Sequence, residues 1–333
     1  MTEGHRGRYL WTDGFAVVNF LTLYRSTGDK KYLSLAKRLI HHVHSILGFT
    51  RDGRTRLPGA TEEWPLKGGL RIGKIDESGD DGDGQYFHYL TVWMFALNRY
   101  TLITGEEWYN QQAITLAEAI LPKFMVNWEV AWPRMFWKMS MDLSEPLVMR
   151  EGNLDPIDGY VTYKLLQAAS GDSKTLEMEI ATLKKCVDTK WKDYTSSDTL
   201  DIGMTLWTAH WLQNDEQWAS YLCQRALECL GKLKEKGYFT RPTSKRLAFR
   251  EFGTALGVQC VDVRKSGLEG LADSICSQWE DAGLVPEPSR EQEGRMAGLM
   301  PITAVMYATA LIPGVMLQAT GEGFSGTPVD TAA

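Results

Sequence analysis

TGDKKY at residues 27–32, with Ala36 four places beyond the tyrosine, returns as TGEEWY at residues 104–109 with Ala113 in the same place. Both copies read T-G-[DE]-x-x-Y-x-x-x-A. Each follows a stretch rich in apolar and aromatic residues and opens a stretch that is charged on one side. Elementary chemistry makes this a joint between two helices. Glycine takes the left-handed backbone that ends one helix, and the acidic residue after it suits the positive start of the next. Tyr and Ala at i and i+4 then share a face and meet a partner helix. Weaker echoes stand at Ser170-Gly171-Asp172 and at Asn214-Asp215-Glu216-Gln217-Trp218. The unit of construction is a helical hairpin, used several times.

Carried along the chain, this template predicts two alternating kinds of helix. Residues 12–25, 85–102, 156–169, 200–211, 247–261 and 301–311 are apolar nearly all round, as inner helices are. Residues 30–47, 107–121, 174–188, 215–233 and 266–281 carry Lys, Arg and Glu on one side, as outer helices do. Strand signals are almost absent. The expected fold is all-α: a single (α/α)6 barrel, or toroid, over residues 1–333. Its last hairpin is incomplete, because only a Gly- and Thr-rich stretch follows Pro313, and residues 314–333 read as a flexible tail. The spacing between hairpins is too uneven for a TPR or HEAT solenoid.

The 333 residues are 44% hydrophobic and 23% charged, with a net charge of −6, the composition of a globular protein with a sizeable core. No basic face of the kind that binds nucleic acid stands out, since Lys232, Lys234 and Lys236 fall at a helix end where cations suit the dipole. No apolar run reaches the roughly 18 residues of a membrane span. The polar start MTEGHRGRYLW lacks a signal-peptide core, so a cytoplasmic location is expected. The five cysteines, Cys186, Cys223, Cys229, Cys260 and Cys276, are scattered without CxxC spacing and read as reduced structural thiols. The sequence carries no signal of oligomeric state.

Nearly every inner helix opens on a carboxylate and an aromatic. The first has Tyr9, Trp11 and Asp13; the second has Asp83, Gln85, Tyr86 and His88. The third has Asn153, Asp155, Asp158 and Tyr160, the fourth Asp198 and Asp201, and the fifth Arg250 and Glu251. Inner helices of a toroid start on one face, so these groups should converge on one mouth. Asp155 and Asp198 serve equally well as helix caps. Asp83, Asp158 and Asp13 are the candidate catalytic acids. His88 is either their acid–base partner or a satisfied core histidine.

Two long connections, residues 48–84 and 128–150, carry Trp64 and Arg71, and Trp132, Arg134, Trp137 and Lys138. Loops of that length inside a compact domain are usually functional, and both are expected to fold over the mouth. The acidic run GDDGDG at residues 79–84 is no EF-hand, because Tyr86 and Val92 stand where that loop needs Gly and Glu. No metal and no cofactor is expected. GxxxxGK[ST], GxSxG and HExxH are missing, and the Gly-rich stretch 68–73 lacks the flanking strand of a nucleotide site.

Through the hairpin alternation, the TGD repeat and the acid-tipped inner helices, residues 9–312 resemble the six-hairpin glycosidase-like superfamily, in an uncharacterised branch. That resemblance implies glycoside hydrolases, unsaturated uronyl hydrolases, sugar epimerases and some lyases, and carries over no specific catalytic residue. As a glycoside hydrolase the chain would act on a small glycoside or uronic-acid sugar, with Asp83 and Asp158 as the acid and base and Asp13 as the third candidate. Trp11, Trp137 and Tyr160 would stack on the sugar beside Tyr86 and His88, and Arg71 or Arg134 would hold a substrate carboxylate. Two alternatives keep the same cavity: a cyclase or isomerase of an apolar metabolite, and a non-catalytic carbohydrate-binding protein.

Overall fold

A computed structural model describes residues 7–79, 81–127, 133–264, 266–284 and 298–317. It divides into two compact units, Met1–Thr189 and Lys190–Thr320. Eleven α-helices run through the described residues, and no strand among them exceeds two residues.

The first unit holds three hairpins: α1 (Leu10–Thr27) with α2 (Lys31–Leu47), α3 (Phe87–Thr104) with α4 (Trp108–Phe124), and α5 (Asp155–Ser170) followed by α6 (Glu177–Lys190). The predicted joints form as the motif requires. Gly28, Gly105 and Gly171 all take positive φ, near 70–75°, and close α1, α3 and α5. The flanking side chains repeat the same turn. The Thr27 hydroxyl accepts from the Asp29 N–H and the Asp29 carboxylate from the Lys31 N–H; Ser170, Asp172 and Lys174 do the same in the third hairpin. Helix α1 packs on α3 and α3 on α5, so the three inner helices lie in a row. Every residue of α3 from Leu90 to Thr101 is buried, with Trp93, Phe95 and Tyr100 among the largest enclosed side chains.

The second unit contains α7 (Thr199–Ala209), α8 (Gln217–Glu235), α9 (Ala248–Gln259), α10 (Leu271–Asp281) and α11 (Met300–Leu311). Its inner helices α7 and α9 touch backbone to backbone. A Cβ on Gly257 would lie 2.3 Å from the Gly203 carbonyl oxygen, and one on Gly203 would lie 2.2 Å from that of Gly253. Helix α10 starts at Leu271 rather than at 266, because Gly267 and Gly270 take φ of 66° and 68° and hold the preceding stretch as turns. All five cysteines are free, four of them buried in α6, α8 and α10. Of the expected tail, residues 314–316 form a 3-10 turn, and 318–333 lie outside the described residues. No described helix is long and apolar enough to cross a membrane.

The described parts of the two long connections of the first unit are folded. Two short antiparallel pairs, unheralded in the sequence, join β1 (Gln85–Tyr86) to β4 (Lys138–Met139) and β2 (Met125–Val126) to β3 (Arg134–Met135). The first pair lays the 133–150 segment against the start of α3. Gln85 binds both connections at once: its amide donates to the Gly68 and Met141 carbonyls, and its carbonyl oxygen accepts from the Leu70 N–H.

Candidate active site

The acidic run of residues 79–84 resolves into separate roles. Asp80 lies outside the described residues. Asp81 is a surface carboxylate, its side chain 81% exposed and paired with Lys74 at 2.6 Å. Asp83 is sealed inside. One of its oxygens accepts the backbone N–H groups of Gly73, Lys74 and Gly84 at 3.0, 3.3 and 3.1 Å. The other takes Arg71 at 2.6 Å and Arg51 at 2.9 Å. Arg71 spends its remaining donors on the Phe49 and Ile46 carbonyls. With five donors converging on it, Asp83 has no lone pair left for a substrate or an attacking water. The expectation that Asp83 is catalytic and that Arg71 holds a substrate therefore gives way to another role. Together they pin the 48–84 connection to the end of α2 and the start of α3. Among the described residues, no cluster of three or more His, Cys, Asp or Glu could hold a metal.

A different constellation forms just beyond. His88, in the first turn of α3, meets Asp155, in the first turn of α5, with Nδ1 and Oδ1 3.1 Å apart. The α3–α5 packing brings together two residues 67 positions apart. Asp155 is buried and is not the helix cap; Leu154 occupies that position. Gly152 makes room for its carboxylate, since a Cβ there would sit 1.9 Å from Oδ2. The His88 side chain remains 30% exposed. Burial works to lower its pKa, but the charge and hydrogen bond of Asp155 and the charge of Asp158 outweigh that, and the net shift is upward from 6.5. A histidine so placed can hold a proton and give it up.

Rings surround this pair. The His88 ring lies 5.5 Å from Tyr86, 5.0 Å from Tyr89, 6.2 Å from Trp11 and 6.3 Å from Trp137, centre to centre. Tyr86 also meets Trp137 at 5.2 Å, and Tyr9 meets Tyr89 at 5.5 Å. Burial is the main force pushing the Tyr86 phenol up to about 12, so it stays protonated. Asp13 lies in the first turn of α1 beside the Tyr9 end of this group. It pairs with Arg8 at 3.1 Å and accepts the Tyr9 N–H at 3.2 Å. Burial still lifts its carboxyl to about 6 against both partners.

The remaining predicted residues scatter. Asp158 is half-buried on α5 and acts on His88 through its charge. Tyr160 is buried in the same helix under the Lys164 amine. Arg134 is exposed and paired with Glu151 at 2.7 Å. In the second unit the acids at helix starts are engaged structurally. Asp198 caps α7 through the Leu200 and Asp201 N–H groups, and Asp201 accepts the Tyr194 hydroxyl at 3.0 Å. Glu251 is buried against Arg246 at 3.1 Å and the Trp279 N–H at 2.8 Å.

Comparison with solved structures gives the fold. The chain is similar to a family 76 glycoside hydrolase from a bovine Bacteroides thetaiotaomicron strain, with TM-score 0.58 and 14% identity over 91% of this chain and 68% of that one. At this identity the likeness shows the fold, an all-α arrangement of helical hairpins. A cellobiose 2-epimerase from Bacillus thermoamylovorans matches at TM-score 0.56 and 11% identity, over 91% of this chain and 88% of that one. A sugar epimerase from a ruminal bacterium matches at TM-score 0.53 and 11% identity, over 91% and 87%. No protein-family model and no curated protein matches the chain. The fold read from the hairpins, all-α and of the (α/α)6 class, is the one these structures share.

Proposed function

We propose that the chain is a carbohydrate-active enzyme that moves protons through the His88–Asp155 pair, on a sugar lying against Trp11, Tyr86 and Trp137. The pair itself carries the reading. An imidazole pulled upward from 6.5 and open to solvent sits among aromatic faces that suit the C–H faces of a sugar ring. The solved relatives, a glycoside hydrolase and sugar epimerases, make a sugar the favoured substrate class. Asp155 orients the ring and stabilises its protonated form, leaving Nε2 to take and return a proton. That chemistry suits epimerisation or isomerisation next to a sugar carbonyl and needs no cofactor.

Hydrolysis of a small glycoside is the second reading, and Asp13 favours it. A buried carboxyl held near 6 is a suitable acid for a leaving oxygen, with Asp158 to activate water. Arg71 is committed to Asp83 and Arg134 to Glu151, so the arginines expected to hold a uronic acid are occupied, and a neutral sugar is preferred.

Both readings are tested by proton NMR of neutral and uronic mono- and disaccharides incubated with the protein in D2O. Deuterium entering a sugar carbon, lost in His88→Asn, supports the first. Release of a reducing sugar, lost in Asp13→Asn, supports the second. Sugars that bind without turnover would leave a binding protein and contradict both.

A further inference from the structure

One face of the site carries three hydrogen-bond donors, two phenols and an indole N–H. The Tyr9 and Tyr89 hydroxyls lie 2.5 Å apart and bond to each other. Two phenols sharing one bond use one proton between them, which leaves the second O–H to meet water or a bound group. The Trp11 N–H, in a side chain only 6% exposed, is buried without an acceptor. Both groups adjoin the proton-moving pair, since the Tyr89 ring lies 5.2 Å from Trp11 and 5.0 Å from His88. The Lys74 ammonium stands 5.8 Å from the Tyr9 ring centre. A buried donor left unmet, as the Trp11 N–H is, is costly, and native proteins rarely keep one without a reason.

We infer that the Tyr9–Tyr89 hydroxyl pair, with Trp11 beside it, is an oxyanion-binding station for the carbonyl oxygen of an open-chain sugar. This rests on the sugar reading above and deepens it. When a C–H bond next to the carbonyl breaks, its proton passes to His88 and its electron pair moves onto that oxygen. The phenol proton not shared between the two tyrosines meets the charge that forms there, and return of the proton from His88 to carbon restores the carbonyl. A phenol that accepts a hydrogen bond is a stronger donor itself, so the two tyrosines act as one unit. Asp155 and Asp158 favour the charge that His88 gains with its proton, and the Lys74 ammonium is the cation on the Tyr9 side.

The test uses D-arabinonohydroxamate, an enediolate mimic, and arabinitol, its neutral counterpart, titrated calorimetrically into wild type, Tyr9→Phe, Tyr89→Phe and the double variant. Phe keeps each ring, and a thermal melt checks each fold. Wild type should prefer the hydroxamate, and either single variant should lose roughly tenfold of that preference. The double variant should lose little more, and arabinitol binding should hold throughout. A preference that survives Tyr9→Phe and Tyr89→Phe overturns the inference while leaving the sugar reading intact. Equal wild-type affinity for the two probes does the same. Failure of wild type to bind either probe removes both.

Discussion

Asp83 and Asp155 are two buried carboxylates at the starts of neighbouring inner helices, and their surroundings differ in kind. Asp83 receives five donors, two of them guanidinium groups and three of them backbone N–H groups. Asp155 meets an imidazole that reaches solvent and can gain or lose a proton. The first arrangement holds a loop still. The second leaves a group poised to react. Whether a carboxylate can do chemistry depends on how many of its lone pairs the fold has already spent, and burial alone does not reveal that.

The contrast is broken most forcefully at Asp83. Asp83→Ala would leave Arg71 and Arg51 without their anion in a buried site, at a cost of about 3–5 kcal/mol. Urea unfolding should show that loss, and an unchanged midpoint would refute the anchoring role. His88→Asn should do the reverse, holding stability near wild type while proton transfer to sugar falls by roughly 10²–10⁴. A His88→Asn protein that unfolds readily would make this histidine a core residue after all.

Asp13 offers a smaller effect with a definite sign. Its folded pKa of about 6 lies above the ordinary 3.8, so the native state binds this proton more tightly than the unfolded state does. The group's contribution is therefore most favourable below 3.8 and is lost as pH rises through about 6. Asp13→Asn should remove that loss, gaining on the order of 1 kcal/mol against wild type between pH 4 and pH 7. Denaturation curves across that range that stay parallel would contradict it.

The smallest effect sharpens the His88–Asp155 side. With Asp155 replaced by Asn, the lowering influence of burial is opposed only by Asp158, and the His88 pKa should fall below its wild-type value. The stability that His88 gains from Asp155 is present at low pH and fades as pH rises through its raised pKa. NMR titration of the imidazole proton reads the shift, and a pKa that does not move would show that Asp155 does not govern His88.

Most of the fold was legible because its signals are local. The TGD and TGE joints, the apolar inner stretches and the charged faces of the outer ones all act within a few residues, and the glycines took the predicted backbone. The site was legible only in part. Asp83 reads like any acid before an aromatic helix, and the partners that commit it, Arg51 and Arg71, lie 32 and 12 residues away. Asp155 reads like a cap, as Asp198 does, yet only Asp198 caps. Its partner His88 reaches it through the packing of α3 on α5, which no short motif records. The one available clue was positional: Tyr9, Trp11, His88, Tyr89 and Asp155 all stand within a turn of an inner-helix start.

The most direct measurement is the rate of sugar turnover per folded molecule, in D2O, for wild type, Asp83→Asn and His88→Asn. Asp83→Asn should lower the amount of folded protein but leave the rate per folded molecule near wild type, whereas His88→Asn should fold and be inactive. An Asp83→Asn protein that folds normally and is inactive, beside an active His88→Asn, would contradict both roles.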